Sequence, residues 1–98
     1  MFILSKDGKK FVNCNNVASI YIQETGSRYA TVPSIRWEIR AMYSAMSAED
    51  VLYDILDTYH TEQECKNAFD KLCDKISKSR EHEIISMEDL WDDYYWFW

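Results

Sequence analysis

Apolar and polar residues alternate along residues 35–43, IRWEIRAMY, with the two-residue period of a β-strand. Trp37 and Ile39 belong to one face of this predicted strand, and Arg36 and Glu38 belong to the other. The apolar face is long enough to pack on a core, and the opposite face carries alternating charges. The pattern therefore predicts a half-buried strand with a charged outer face.

The N-terminal part of the chain shows three shorter strand signals. Residues 2–4 are apolar, and Asp7-Gly8 follows as a typical hairpin turn. Residues 11–12 resume the apolar pattern, and residues 17–22, VASIYI, are rich in the β-branched and aromatic residues favoured in strands. These segments predict antiparallel strands, with a further turn at Gly26.

Two interpretations fit residues 47–59, SAEDVLYDILDTY. Ser47 and Asp50 resemble a helix capping box, and apolar residues at 51, 52, 55, 56 and 59 recur with helical spacing. The same segment also alternates as a strand does, at 51, 53, 55, 57 and 59. Periodicity alone leaves helix and strand open here.

The segment that follows predicts an amphipathic helix over about residues 62–78. Thr61 and Glu64 form a T-x-x-E capping box at its start. The apolar residues recur at helical spacing, which places them on one face. They are Cys65, Ala68, Phe69, Leu72, Cys73 and Ile76.

Two stretches of this chain resemble small uncharacterised single-domain proteins of Gram-positive bacteria and their phages. The segment DILDTYHTEQECKNAFDKLCDKI is similar to their "LGxY" strand, turn and "TEEEAKxxLxxI" helix, with Asp57 standing where that family has glycine. The start, MFILSKDGKKFVNCNNVASIYI, is similar to their N-terminal strands. The resemblance covers residues 1–78. It implies an antiparallel sheet closed by one helix, with residues 51–59 as a strand, and such phage proteins include inhibitors of host defence systems.

The chain ends in DLWDDYYWFW, with six aromatic residues among the last eight. Ser86 and Asp89 indicate the start of a short helix over about residues 87–97. On a helical projection the acidic residues share one side, with Trp96 in their middle, and most of the aromatic residues fall on the other. The acidic residues are Glu88, Asp89, Asp92 and Asp93. The aromatic side either docks on its own domain or forms an interface with a partner or a second copy.

Together these segments predict an α+β fold in one domain, residues 1–98. Residues 1–60 form an antiparallel sheet of four to five strands, and residues 61–78 form the helix that packs on it. Residues 79–86 form a linker, and residues 87–98 form an acidic and aromatic C-terminal helix.

Charge is distributed unevenly along the chain. The formal net charge is −6 overall, with +3 on residues 1–40 and −9 on residues 41–98. An acidic C-terminal half disfavours direct binding of nucleic acid and suits a larger basic partner, such as a nucleic-acid-binding defence effector. No run of about 18 apolar residues is present, so we expect no membrane span and a cytoplasmic location.

Catalytic and metal-binding motifs are missing from the sequence. There is no glycine-rich phosphate loop, no CxxC pair and no HExxH, and His60 and His82 lack a nucleophile at motif spacing. Cys65 and Cys73 would lie about 12 Å apart on one helix, too far for a disulfide. We therefore expect a non-enzyme without metal or cofactor.

The preferred function is a small inhibitor of a host defence protein, of the anti-CRISPR or other anti-defence kind. It would bind its partner through the acidic C-terminal surface, with Trp96 as an aromatic anchor. One alternative is a sponge for a nucleotide signal, which would hold phosphates with Arg28, Arg36 and Arg40. Another is a structural accessory protein.

Overall fold

The computed structural model describes residues 1–27, 29, 31, 34–44 and 52–90, and within these ranges the fold is α+β. The described elements are six strands, one α-helix and two short 3₁₀ helices. In chain order the strands and the α-helix are β1 (Phe2–Leu4), β2 (Phe11–Asn13), β3 (Val17–Thr25), β4 (Arg36–Tyr43), β5 (Tyr53–Tyr59), α1 (Glu62–Lys78) and β6 (Ile84–Ser86). The 3₁₀ helices are Cys14–Asn16 and Met87–Leu90.

The strands form two three-stranded sheets, which differs from the predicted single sheet of four to five strands. The larger sheet is antiparallel, in the order β3-β4-β5, and the smaller has the order β2-β1-β6. The 3₁₀ helix Cys14–Asn16 separates β2 from β3, so the N-terminal hairpin does not continue into the larger sheet. β1 pairs instead with β6, in parallel.

The predicted linker, residues 79–86, contains the strand β6. Ile85 is 4% exposed and lies opposite Ile3 of β1, which is fully buried. The Phe2 N–H also donates to the Glu83 carbonyl at 3.0 Å. A three-residue strand has no periodicity to detect, and its partner lies at the other end of the chain, so the sequence pattern did not reveal it.

Residues 53–59 are a strand, as the resemblance implied; the predicted capping residues Ser47 and Asp50 lie outside the described residues. A β-bulge interrupts this strand, because Ile39 of β4 faces Asp57 while Arg40 faces Ile55. The bulge changes which alternate residues face the core. Leu56 and Asp57 are consecutive and both buried, so the simple strand alternation at 51, 53, 55, 57 and 59 does not describe the observed burial.

The bulge also joins the two sheets. Leu56 is the extra residue of β5, with no partner in β4. Its side chain is 1% exposed, and its carbonyl accepts a hydrogen bond from the Lys6 N–H at 2.8 Å. Lys6 lies in the turn after β1, so the edge of the larger sheet is covered by the hairpin of the smaller one.

The helix α1 has the predicted bounds and packs on the larger sheet. Thr61 Oγ1 accepts a hydrogen bond from the Glu64 N–H at 3.2 Å, which caps its first turn. Cys65 and Leu72 are fully buried, in one core with Ile39 of β4. Cys73 was predicted on the same apolar face, but it is exposed.

The predicted C-terminal α-helix over residues 87–97 is not confirmed. Residues 87–90 form a 3₁₀ helix, and Ser86, the predicted cap, is the last residue of β6. Residues 91–98 lie outside the described part of the chain. Within the described ranges, α1 is too short and too charged to cross a bilayer, and no other helix could do so.

Candidate functional site

The 3₁₀ helix Met87–Leu90 displays two of the predicted acidic residues. Side chains three positions apart eclipse each other in a 3₁₀ helix, so Met87 and Leu90 lie on one side. Both are buried, at 0% and 2% exposure. Glu88 and Asp89, between them, are exposed to solvent. The two carboxylates therefore stand on a backbone that is anchored in the core at both ends.

This 3₁₀ helix packs against α1. Lys71 Nζ donates a hydrogen bond to the Leu90 carbonyl at 3.4 Å. A shallow groove of about 370 Å³ lies between the two elements. Its lining residues are Asp70, Lys71, Asp74, Lys75, Asp89 and Leu90. The groove lining therefore mixes three carboxylates with two lysines.

The surface salt bridge in this region is weakly stabilising. Lys78 Nζ lies 3.0 Å from Asp74 Oδ2, and both side chains are more than half exposed. Exposed pairs of this kind contribute little to stability, because water and salt screen them. Lys78 therefore holds the Asp74 carboxylate only weakly. The other predicted members of this surface, Asp92, Asp93 and Trp96, lie outside the described residues.

The basic face of β4 has a different arrangement from the one predicted for a nucleotide site. Arg40 lies 2.6 Å from Glu38, through Nη2 and Oε1, and its Nε donates to the same oxygen at 2.8 Å. Its guanidinium also lies over the Tyr53 ring, 4.2 Å from the centroid. Burial alone would lower the pKa of Arg40, but hydrogen bonds to Glu38 and Tyr21 and the Glu38 charge raise it. The Arg40 side chain is thus charged, and it already interacts with Glu38 and Tyr53.

The other two predicted arginines do not complete a phosphate site with it. Arg36 is exposed, and its Nη1 donates to the neighbouring Ile35 carbonyl at 3.2 Å. Four residues of strand separate Arg36 from Arg40 by about 13 Å. Arg28 lies outside the described residues. The described arginines therefore share a face without converging on one pocket.

A network of polar side chains lies at the junction of the sheets, and no sequence pattern predicted it. The Tyr43 hydroxyl donates to Asp54 Oδ2, and Lys10 Nζ lies 3.2 Å from Asp54 Oδ1. Burial, followed by the Asp54 carboxylate, raises the pKa of Tyr43 to about 12. The hydrogen bond from Tyr43, with help from Lys10, lowers the pKa of Asp54 despite its partial burial. No local signal links these residues, because three separate segments supply them.

The cysteine thiols are poor nucleophiles at neutral pH. Burial, with the negative charges of Asp57 and Glu62 adding to it, raises the pKa of Cys65 to about 11. Burial also raises the pKa values of Cys14 and Cys73. Thiolates are the reactive form, so a raised pKa keeps these groups inert. Among the described residues, no group of three histidine, cysteine or acidic side chains is placed to hold a metal ion.

The described surface therefore offers two distinct chemical faces. One is the acidic edge at Glu88 and Asp89, and the other is the face of the larger sheet where Arg40 is paired with Glu38.

Comparisons with protein-family models, with curated proteins and with solved structures found no match to this chain.

Proposed function

We propose that this chain is a small, non-enzymatic binding protein that inhibits a larger basic protein. Binding takes place through the acidic surface formed by Glu88 and Asp89, extended by the acidic and aromatic residues 91–98. The target class is a nucleic-acid-binding effector of host defence, so the chain acts in the cytoplasm of the host cell, as a phage or mobile-element product.

The observation that carries this proposal is the fixed display of Glu88 and Asp89. Their neighbours Met87 and Leu90 are buried, and the Leu90 carbonyl accepts a hydrogen bond from Lys71. Carboxylates on an anchored backbone lose little freedom when a partner binds, which lowers the entropic cost of association. The aromatic residues that follow in the sequence supply the side-chain types enriched at interface hot spots.

Charge supports a basic target. The −9 formal charge of residues 41–98 gives this half of the chain a negative field that attracts cationic surfaces. Proteins that bind nucleic acid carry such surfaces, because they must neutralise phosphates. A carboxylate-rich inhibitor would compete with the nucleic acid for the same lysines and arginines.

The resemblance to small phage proteins supports the anti-defence class. It covers residues 1–78, which contain β1 to β5 and α1 but not β6. The acidic surface lies beyond it, which fits a shared scaffold that carries a different binding segment. The nucleotide-sponge alternative gains no support from Arg40, which is paired with Glu38 and stacked on Tyr53.

A plating assay tests the proposal. Bacterial strains that each carry one nucleic-acid-targeting defence system would express this chain and be challenged with a phage that the system restricts. We expect plaque formation to be restored in one strain. The double variant Glu88→Gln with Asp89→Asn should lose this effect.

The matched control is Glu81→Gln with Glu83→Gln, which removes the same charge from exposed residues before β6. It should restore plaques as the unmodified chain does. If both double variants failed equally to restore plaques, net charge alone would matter, and a site at Glu88 and Asp89 would be contradicted. Restriction by every such system in the presence of the chain would contradict the anti-defence class.

A further inference from the structure

Among the described strands, β3 forms one edge of the larger sheet. β4 pairs with one side of it, and no described strand pairs with the other. Alternate residues of an antiparallel strand direct both N–H and C=O away from their partner, so this side presents unpaired backbone groups. Within the described ranges, no backbone hydrogen bond joins β3 to an element other than β4.

The composition of β3 does not protect this edge. It spans nine residues, Val17–Thr25, with neither lysine nor proline, the residues that commonly block strand pairing. Glu24 is its one charged residue. The opposite edge of the same sheet is covered, since Lys6 bonds to Leu56 of β5. β3 is therefore the edge that remains able to add a strand.

There is also room for a strand beside β3. An open cleft of about 530 Å³ is lined by the consecutive residues Val17–Ile20, by Ile76 of α1 and Ser79 that follows it, and by Met1, Cys14, Asn15 and Glu81. Successive side chains of a strand point to opposite faces. A cleft that touches four consecutive residues therefore meets both faces at the start of β3, and its lining mixes apolar side chains with polar ones.

We propose that a second copy of this chain occupies this edge, with the two β3 strands antiparallel about a two-fold axis at Tyr21. The larger sheets of the two copies then form one continuous six-stranded sheet. Ser19 faces Gln23 of the second copy, and Ile20 faces its Ile22. The pairing extends over residues 19–23, because the register of β3 shifts between Val17 and Ser19.

The side chains of β3 select this register. Ile20 pairs with Ala41 and Ile22 with Ile39 in β4, so both isoleucines lie on the core face. Both are only half-buried, and pairing them across the axis would continue the apolar core into the second copy. On the other face, Ser19 meets Gln23 and the two Tyr21 rings meet each other.

The neighbouring registers are less favourable. An axis at Ile22 would place Ile20 opposite the carboxylate of Glu24. An axis at Ile20 would bring Ile22 against Ala18, where the strand is bulged. With the axis at Tyr21, no charged residue lies within the paired segment. One sequence thus supplies both halves of a self-complementary interface, as a two-fold dimer requires.

Sedimentation velocity over about a hundredfold range of concentration tests the dimer. We expect the mass to rise from the 11.7 kDa of one chain towards twice that value. Ser19→Lys with Gln23→Lys places like charges opposite each other at both ends of the pairing. This double variant should raise the dissociation constant of the dimer at least tenfold. Ser19→Lys with Gln23→Glu places opposite charges there and should retain the dimer.

Both substituted residues are exposed in the single chain, so the variants should fold, which thermal melting would check. A monomeric unmodified chain over the whole range would overturn the proposal. Equal dimerisation of the two double variants would also overturn it, because the interface would then lie elsewhere, for example at the aromatic residues 91–98. Loss of the dimer in both would refute the register at Tyr21.

Discussion

The guanidinium of Arg40 lies 4.2 Å from the centroid of the Tyr53 ring, on the strand beside its own. Glu38 holds the same guanidinium from the side at 2.6 Å. The Glu38 and Arg40 side chains are 11% and 15% exposed, so the pair is largely removed from water. Arg40, which the sequence suggested as a phosphate ligand, therefore interacts with side chains of its own sheet.

Arg40→Ala should lower the free energy of unfolding by about 2 to 4 kcal/mol, because it leaves the Glu38 carboxylate largely buried without its partner. Arg36→Ala is the control, since Arg36 is exposed on the same face, and it should change stability by less than about 0.5 kcal/mol. Urea unfolding measures both. Adding Glu38→Gln to Arg40→Ala should recover part of the loss, and equal midpoints for the two single variants would contradict the structural role.

Leu72→Ala should cost about 2 to 5 kcal/mol, because Leu72 is fully buried between α1 and the sheet and its truncation leaves a cavity. Lys66→Ala, on the exposed face of the same helix, should be close to neutral. Denaturant titrations followed by circular dichroism would compare the two. A small effect of Leu72→Ala would mean that α1 does not form the core.

Stability should fall in acid partly through Asp54. Its pKa is lowered in the folded state, so its contribution is present above the ordinary aspartate pKa and is lost as the pH falls through the folded value. Tyr43→Phe removes the first cause of this shift. We expect unfolding free energies measured from about pH 6 down to about pH 2 to decline less steeply in Tyr43→Phe than in the unmodified chain. Parallel curves would show that the Tyr43–Asp54 bond is not linked to stability.

The two glycines provide a matched pair for backbone strain. Gly26 has φ +103°, and a Cβ atom there would lie 2.1 Å from the Ser34 carbonyl oxygen. Gly8 has φ +73°, and a Cβ there would meet nothing within 4 Å. Gly8→Ala should therefore cost about 1 kcal/mol, and Gly26→Ala distinctly more, since the chain must also move aside. Thermal melting of both variants tests this order, and a reversed order would contradict the turn geometry.

Binding of the proposed basic target should depend strongly on salt. Glu88→Gln with Asp89→Asn should slow association more than it speeds dissociation, because long-range attraction acts mainly on the encounter. Surface plasmon resonance at two salt concentrations would separate the rates, with Glu81→Gln and Glu83→Gln as the charge-matched control. Association rates that do not change with salt would contradict the proposal that the acidic residues compete with nucleic acid for the target's lysines and arginines.

The sequence by itself determined the elements whose signals are local. The capping box at Thr61 and the apolar spacing from Cys65 onward predicted α1 with its observed bounds. Asp7-Gly8 predicted the first hairpin, and the alternation of residues 35–43 predicted β4 with Ile39 facing the core. In each case neighbouring residues carry the information, because helix and strand periods arise within one segment.

The exposure of Glu88 and Asp89 also followed from sequence, although their helix type did not. An α-helical projection separated them from Met87 and Leu90, and the 3₁₀ helix makes the same separation, since residues three apart share a side in both. The exposure of these two acidic residues was therefore predictable from spacing alone.

Only the tertiary structure decided the pairings between distant segments. β6 is a strand because β1 lies beside it, and Leu56 bulges out of register where Lys6 binds its carbonyl. Arg40 is paired with Glu38 and stacked on Tyr53 of the next strand. These outcomes depend on which backbones and side chains meet in space, and hydrogen bonds between remote residues leave no periodic trace along the chain.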